Sequence, residues 1–209
     1  MYLPQHFREP RTEVLHEFIE RHPLGMLVTS ANGAPVEDHV PMLLIPNQGP
    51  HGTLQGHVAR ANPLWRTTAD GAEVLVVFHG ADGYVSPSRY PSKHVDGKVV
   101  PTWNYAVVHA RGRIRLFEDE ARLHALVSNL TDHFERPRPE PWSVADAPDD
   151  YVRAMLRAIV GFEIEITDLA GKFKASQNRS AEDRAGVRGG MGAAGVGELD
   201  ELVRDPDWP

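Results

Sequence analysis

Two apolar runs in GMLVTSANGAPVEDHVPMLLI, residues 25–45, are separated by Asn32-Gly33. That dipeptide suits the positive dihedrals of a tight hairpin turn, so the runs are predicted as antiparallel strands over 25–30 and 35–45. A loop, PNQGPHG, leads into a short strand, TLQGHVA, and the β-branched run EVLVVFHG reads as a buried strand. Several of these runs lie too close together for helical crossovers. The spacing therefore predicts six or seven strands in a mostly antiparallel sheet or small barrel, with short helices inserted.

The longest run is VPTWNYAVVHARGRIRLF, residues 100–117. As one strand it places Thr102, Asn104, Ala106, Val108, Ala110, Gly112, Ile114 and Leu116 on one face, because side chains alternate. Trp103, Tyr105, Val107, His109, Arg111, Arg113 and Arg115 fall on the other. The even face reads as a core stripe. A β-bulge near Ala106 would exchange the faces at one end.

Helical spacing marks residues 13–22 and, more strongly, 119–134, where Leu123, Leu126, Val127, Leu130 and Phe134 recur on one side. Asn62 and Pro63 suit the cap and first position of a short helix from Leu64 to Ala69. A further helix is predicted to start at Asp146 or Asp149, followed by the alternating strand GFEIEITDL. ADGYVSPSRYPSKHVDGK reads as turn-rich, and GKFKASQNR as an extended segment. The expected organisation is one domain over 1–180 and a partly flexible glycine- and charge-rich tail over 181–209.

A formal charge of −7 over 209 residues argues against a generic polyanion binder. The absence of cysteine excludes disulfides, thiolate catalysis and thiolate metal sites. No stretch approaches the roughly 18 apolar residues of a membrane span, so a soluble cytoplasmic protein without membrane association is expected. The eleven histidines show no metalloprotease spacing and no cluster, so no metal site is assigned; His39 and His57 fall on strands predicted to be adjacent. Neither a nucleophile elbow, a P-loop nor a dinucleotide fingerprint is present, and no catalytic residue is assigned.

Three segments carry candidate binding chemistry. QGHVARANP ends a strand at a helix start, where Arg60 adds charge to free backbone donors, an arrangement suited to phosphate; its alternative is a simple cap. YVSPSRYPSK offers hydroxyls, two tyrosines, Arg89 and Lys93 to an aromatic anionic ligand, or is ordinary turn chemistry. In the third, Lys172 and Lys174 alternate on one side, and Gln177 and Asn178 offer donors and acceptors. Its plain reading is a solvated segment.

Taken in order, MYLPQHF, HPLGMLVTS, GHVARANPLW, FHGADGYVSPSRYPSK, VPTWNYAVVHARGRIR, IVGFEIEI and KFKASQNR resemble the PaiB family of FMN-binding negative transcriptional regulators, up to about residue 188. Arg89 is one departure, at a position where the family is expected to carry tryptophan. The resemblance implies a six-stranded antiparallel split β-barrel, the FMN-binding fold of the pyridoxamine phosphate oxidases, with flavin at the interface of a homodimer. It implies phosphate contacts from His57, Arg60 and Asn62, and ring contacts from His39 and the backbone of Val40, Pro41, Met42 and Leu43. Trp103, Asn104 and Tyr105 would contact the flavin across the interface; Lys93, Lys172, Lys174 and Gln177 complete the set.

The implied function is FMN-binding regulation, with DNA as a partner that neither net charge nor a recognisable helix-turn-helix supports. Arg111, Arg113 and Arg115 are its best local patch. The alternatives are an FMN-dependent oxidoreductase and a haem-binding barrel in which His39, His57, His94 or His109 would ligate iron.

Overall fold

The computed structural model describes residues 1–31 and 33–191, and among these eight strands form where six or seven are expected. In chain order they are β1 (Arg8–Glu9), α1 (Thr12–Arg21), β2 (Leu24–Ala31), β3 (Ala34–Pro41), β4 (Leu43–Ile45), β5 (Thr53–Ala59), α2 (Leu64–Thr67) and β6 (Glu73–Val85). After the 3-10 turns Pro87–Arg89 and Pro91–His94 come β7 (Thr102–Phe117), α3 (Glu120–Glu135), α4 (Asp149–Arg157), β8 (Ile159–Lys174) and α5 (Ala181–Met191). The hydrogen-bonded order is β3-β2-β6-β7-β8-β5-β4, an open path, with β1 paired to β8. Pairs β2–β3, β2–β6, β4–β5, β5–β8 and β1–β8 are antiparallel.

The hairpin register runs from Leu24 opposite Pro41 to Ala31 opposite Ala34, and Gly33 holds φ at 81°. Asn32 of that turn lies outside the described residues. The single strand expected over 35–45 is instead two. Met42 donates its amide to the Pro23 carbonyl (2.9 Å), and the chain passes from β2 as partner to β5. Alternation of side chains does not record a change of partner, which is why the break is absent from the sequence pattern.

One further boundary differs: residues 81–85, read as turn-rich, continue β6, where ladder hydrogen bonds outweigh local turn preference. Residues 171–174, expected to be extended, continue β8. The expected flexible tail begins with a regular helix, α5; residues 192–209 lie outside the described residues. His39 and His57, expected on adjacent strands, sit on β3 and β5, which are not hydrogen-bonded partners.

The chain divides into two compact units. The first contains Met1–Phe18, His79–His109 and the chain from Ala170; the second contains Ile19–Phe78 and Ala110–Leu169. Strands β6, β7 and β8 contribute residues to both. In the second unit Leu27, Leu54, Val76, Phe78, Ile114, Val160, Phe162 and Ile164 are fully buried. Beside them Leu43, Phe117, Leu123, Leu126, Leu130 and Leu156 form the cluster that seats α3 and α4. Asp119 caps α3 by accepting from the Arg122 amide (2.9 Å). In the first unit Phe7, Val14, Leu15, Phe18, Tyr90, Phe173 and Val187 are buried, with the Phe18 and Phe173 rings 5.3 Å apart. Asp183 fastens α5 to the turn at Ser92 by accepting from its amide (3.1 Å) and hydroxyl (2.8 Å).

The expected even face of β7 is buried from Asn104 to Ile114, while Trp103, Arg111, Arg113 and Arg115 are exposed. The phase changes only at the end, where Leu116 is half-buried and Phe117 enters the core.

Candidate functional site

The sequence-derived site residues fall into two groups, one in each unit. In the second unit, Arg60 and Asn62 stand where β5 turns toward α2. The Arg60 guanidinium donates to the carbonyls of Arg157 (2.7 Å) and Ile159 (3.1 Å) and pairs with Glu118. Three of its five N–H groups are thereby committed and its charge has a counter-ion. Asn62 accepts from the Leu64 amide (2.8 Å) and donates to Asp38 (2.8 Å); the cap-type bond expected of it forms, but the helix starts one residue later than that cap implies, with Pro63 in the N-cap position. Trp65 donates its indole N–H to the Arg60 carbonyl (2.9 Å).

Along β3 and its exit, His39 and Pro41 are exposed, whereas Val40, Met42 and Leu43 are buried. The backbones of Val40 and Leu43 serve the ladders to β2 and β5, and that of Met42 bonds to Pro23 between them. His57 is half-buried on β5; its Nδ1 is sealed from solvent with no partner, and burial lowers its pKa from the ordinary 6.5.

The first unit joins the most distinctive sequence segments. Asn104, from VPTWNY, is fully buried and exchanges hydrogen bonds with Ser176, from KASQN: Nδ2 to the hydroxyl at 3.0 Å and the hydroxyl to Oδ1 at 3.2 Å. Ser176 occupies positive φ, 64°, which a non-glycine residue rarely adopts. Two residues earlier Lys174 donates to the Thr102 hydroxyl. Lys172, buried on the same strand, donates to the Tyr2 carbonyl (3.1 Å), and its ammonium lies 5.3 Å from the Tyr105 ring centroid and 5.6 Å from that of Tyr2. The Lys174 ammonium lies 5.9 Å from the Phe7 ring.

Desolvation is the main cause lowering the Lys174 pKa; Tyr105 opposes it, while the charges of Lys172 and Arg179 add to it. Among the described residues no carboxylate forms an ion pair with Lys172, Lys174 or Arg179. Two ammonium groups thus sit close together, partly desolvated, among aromatic rings and without counter-charge. Such a donor set fits an anionic group attached to a planar ring.

Other expected members stand apart from that pair. Trp103 is 53% exposed and meets Tyr84 edge-on, with centroids 6.0 Å apart. Lys93 is exposed on the second 3-10 turn. Gln177 turns back on its own loop, accepting from the Ala175 amide (2.7 Å) and donating to the Phe173 carbonyl. Sequence reasoning missed the rings of Tyr2 and Phe7 and the Asn104–Ser176 pair, since no spacing rule connects residues so distant in the chain.

The family model described as "Putative FMN-binding domain" matches residues 1–168. The protease synthase and sporulation protein PAI 2 of Bacillus subtilis is 33% identical over 187 residues, covering 90% of this chain and 87% of that one. The chain belongs to the PaiB family. An uncharacterized protein of Aspergillus fumigatus is 34% identical over 241 residues, covering 94% of this chain and 92% of its own. Among solved structures, the FAD and heme binding protein of Mycobacterium smegmatis superposes with a TM-score of 0.58 at 17% identity, covering 85% of this chain and 78% of that one. The flavocytochrome Anf3 of Azotobacter vinelandii gives the same score and identity, covering 88% and 78%. The fold is therefore the split barrel expected of this PaiB-family chain, with eight strands in its sheet. No helix among the described residues is long and apolar enough to cross a membrane.

Proposed function

We propose that this protein binds FMN and acts as a flavin-dependent negative transcriptional regulator in the form of a homodimer. The observation that carries the reading is the uncompensated Lys172/Lys174 pair bordered by Tyr2, Phe7 and Tyr105. A phosphate dianion would supply the missing counter-charge, and the rings offer faces to a planar heterocycle. Arg60 is a weaker candidate for the phosphate because Glu118 already neutralises it. FMN, when bound, would bring hydride or electron chemistry of its own, so an acid–base pair is not required.

The test compares FMN with riboflavin, which lacks the phosphate. Lys172→Met and Lys174→Met are each expected to weaken FMN binding by about 10- to 100-fold, the scale of a hydrogen bond to a charged group, while leaving riboflavin unchanged. Equal loss for both ligands, or none, removes the pair from the phosphate site. For the regulatory part, Arg111, Arg113 and Arg115 present three exposed guanidinium groups on alternate positions of β7. DNA retention that falls steeply with salt supports direct regulation; no retention of promoter fragments at low salt defeats it.

The likeness of the fold to an FAD and heme binding protein and to a flavocytochrome favours a second reading, an FMN-dependent oxidoreductase. NAD(P)H oxidation that requires added FMN would select it. A Soret band instead of a flavin spectrum in the purified protein would select the haem reading.

A further inference from the structure

The second unit contains a mainly apolar pocket of about 420 Å³, apart from the Lys172/Lys174 pair. Val127, Trp142, Val144, Tyr151, Met155 and Ile159 are part of its wall, and among the described residues no Asp, Glu, Lys or Arg lines it. Trp142, Tyr151 and Met155 are each about half exposed, so the rim is apolar where solvent meets it. His57 lines this pocket and an adjoining hollow of about 330 Å³. In that hollow the one carboxylate, Glu135, is already engaged by Arg138 (3.0 Å) and by the Trp142 amide (3.2 Å).

The His57 ring has an asymmetric environment. Nδ1 is sealed from solvent without a partner, and the residue lines both hollows. Burial lowers the pKa of the imidazole and so favours its neutral form. A buried lone pair without a partner costs less than a buried N–H without one, which places the single proton on Nε2. The wall is mainly apolar and aromatic, and the side chains in it that can donate a hydrogen bond are His57, Thr131, Trp142 and Tyr151.

We propose that this pocket binds a neutral planar aromatic molecule carrying a carbonyl oxygen, with the ring against Trp142 and Met155 and the carbonyl accepting from His57 Nε2–H. The volume falls within the range of small-molecule sites, and aromatic and thioether walls favour a flat π-system. A charged ligand would be desolvated here with nothing to pair it. The proposed flavin site rests on Lys172 and Lys174 of the other unit, whereas the family resemblance places His57 at the flavin phosphate, so competition with FMN decides between the two assignments of His57.

Coumarin and naphthalene are matched probes, similar in outline but only the first bearing a carbonyl. Calorimetric titration of the full chain is expected to show saturable one-to-one binding, with coumarin tighter by roughly 3- to 12-fold, the effect of one neutral hydrogen bond. His57→Phe should abolish the preference while both probes still bind, His57→Gln should retain it, and Trp142→Ala should weaken both alike. Equal affinities in the unaltered protein, or no saturable binding, overturn the proposal without requiring any variant to fold. Displacement of coumarin by FMN assigns the pocket to the flavin, and a Soret shift with hemin that His57→Phe removes assigns it to iron; either result also overturns it. Failure of the Lys172 and Lys174 tests alone would leave these outcomes unaffected.

Discussion

Replacing Asn104 by leucine should be among the most damaging conservative substitutions in the first unit, and a second substitution should partly repair it. Asn104 is 0% exposed and Ser176 3%, and each satisfies the other. Leucine removes both hydrogen bonds at similar volume and strands the serine hydroxyl away from water, at a cost of about 2–4 kcal/mol. At about 2–4 °C per kcal/mol for a chain of this length, the melting temperature should fall by about 5–15 °C. Ser176→Ala leaves the backbone at the same positive φ but orphans the Asn104 amide, with a comparable loss. In Asn104→Leu/Ser176→Ala both polar partners are gone, so the double variant should be about 1–3 kcal/mol more stable than the sum of the single losses predicts. Urea unfolding followed by circular dichroism, with the m-value checked for constancy, reads all four corners of the cycle. Strict additivity would refute the claim that these groups are each other's essential partners, and a near-neutral Asn104→Leu would refute the burial argument itself.

Two other outcomes follow from the second unit. An added Cβ at Gly112 would lie 2.2 Å from the Glu165 carbonyl oxygen and 2.8 Å from the Ile164 side chain, so Gly112→Ala should cost about 2–4 kcal/mol by forcing β7 from β8. Thermal melts check it, and an unchanged midpoint would show that the strands separate at little cost. His57 has a folded-state pKa below 6.5, so as pH falls the unfolded chain takes up the proton first. Its contribution is intact above pH 6.5 and is lost as pH drops from there through the folded value. Stability measured from pH 7 to 5 should thus decline less in His57→Phe than in the parent, and parallel pH profiles would exclude the imidazole as a cause.

Much of the fold is legible because its signals are local. Asn32-Gly33 announces a hairpin, the even positions of residues 104–114 form the buried face, and the leucines of α3 recur at helical spacing. The strand count and boundaries are less legible, since they depend on partners. Met42 looks like part of a continuous run, yet its amide belongs to Pro23 and its neighbours belong to different strands. The candidate site shows the same division. Lys172 and Lys174 stand out as alternating cations, but Tyr2, Phe7, Thr102 and Tyr105 join them only through packing. Arg60 stands out equally, and its commitment to Glu118 and two carbonyls distant in the chain is invisible until the strands are in place.

By itself, then, the sequence determines the antiparallel class, the alternation of β7 and the membership of the PaiB family, because periodicity, turn chemistry and ordered motifs are properties of neighbouring residues. Tertiary structure alone decides which cations keep an unbalanced charge, which buried polar atoms find partners, and where a mainly apolar wall surrounds a single imidazole. Those outcomes depend on desolvation and on distances of a few ångströms between residues far apart in the chain, and no local pattern encodes them.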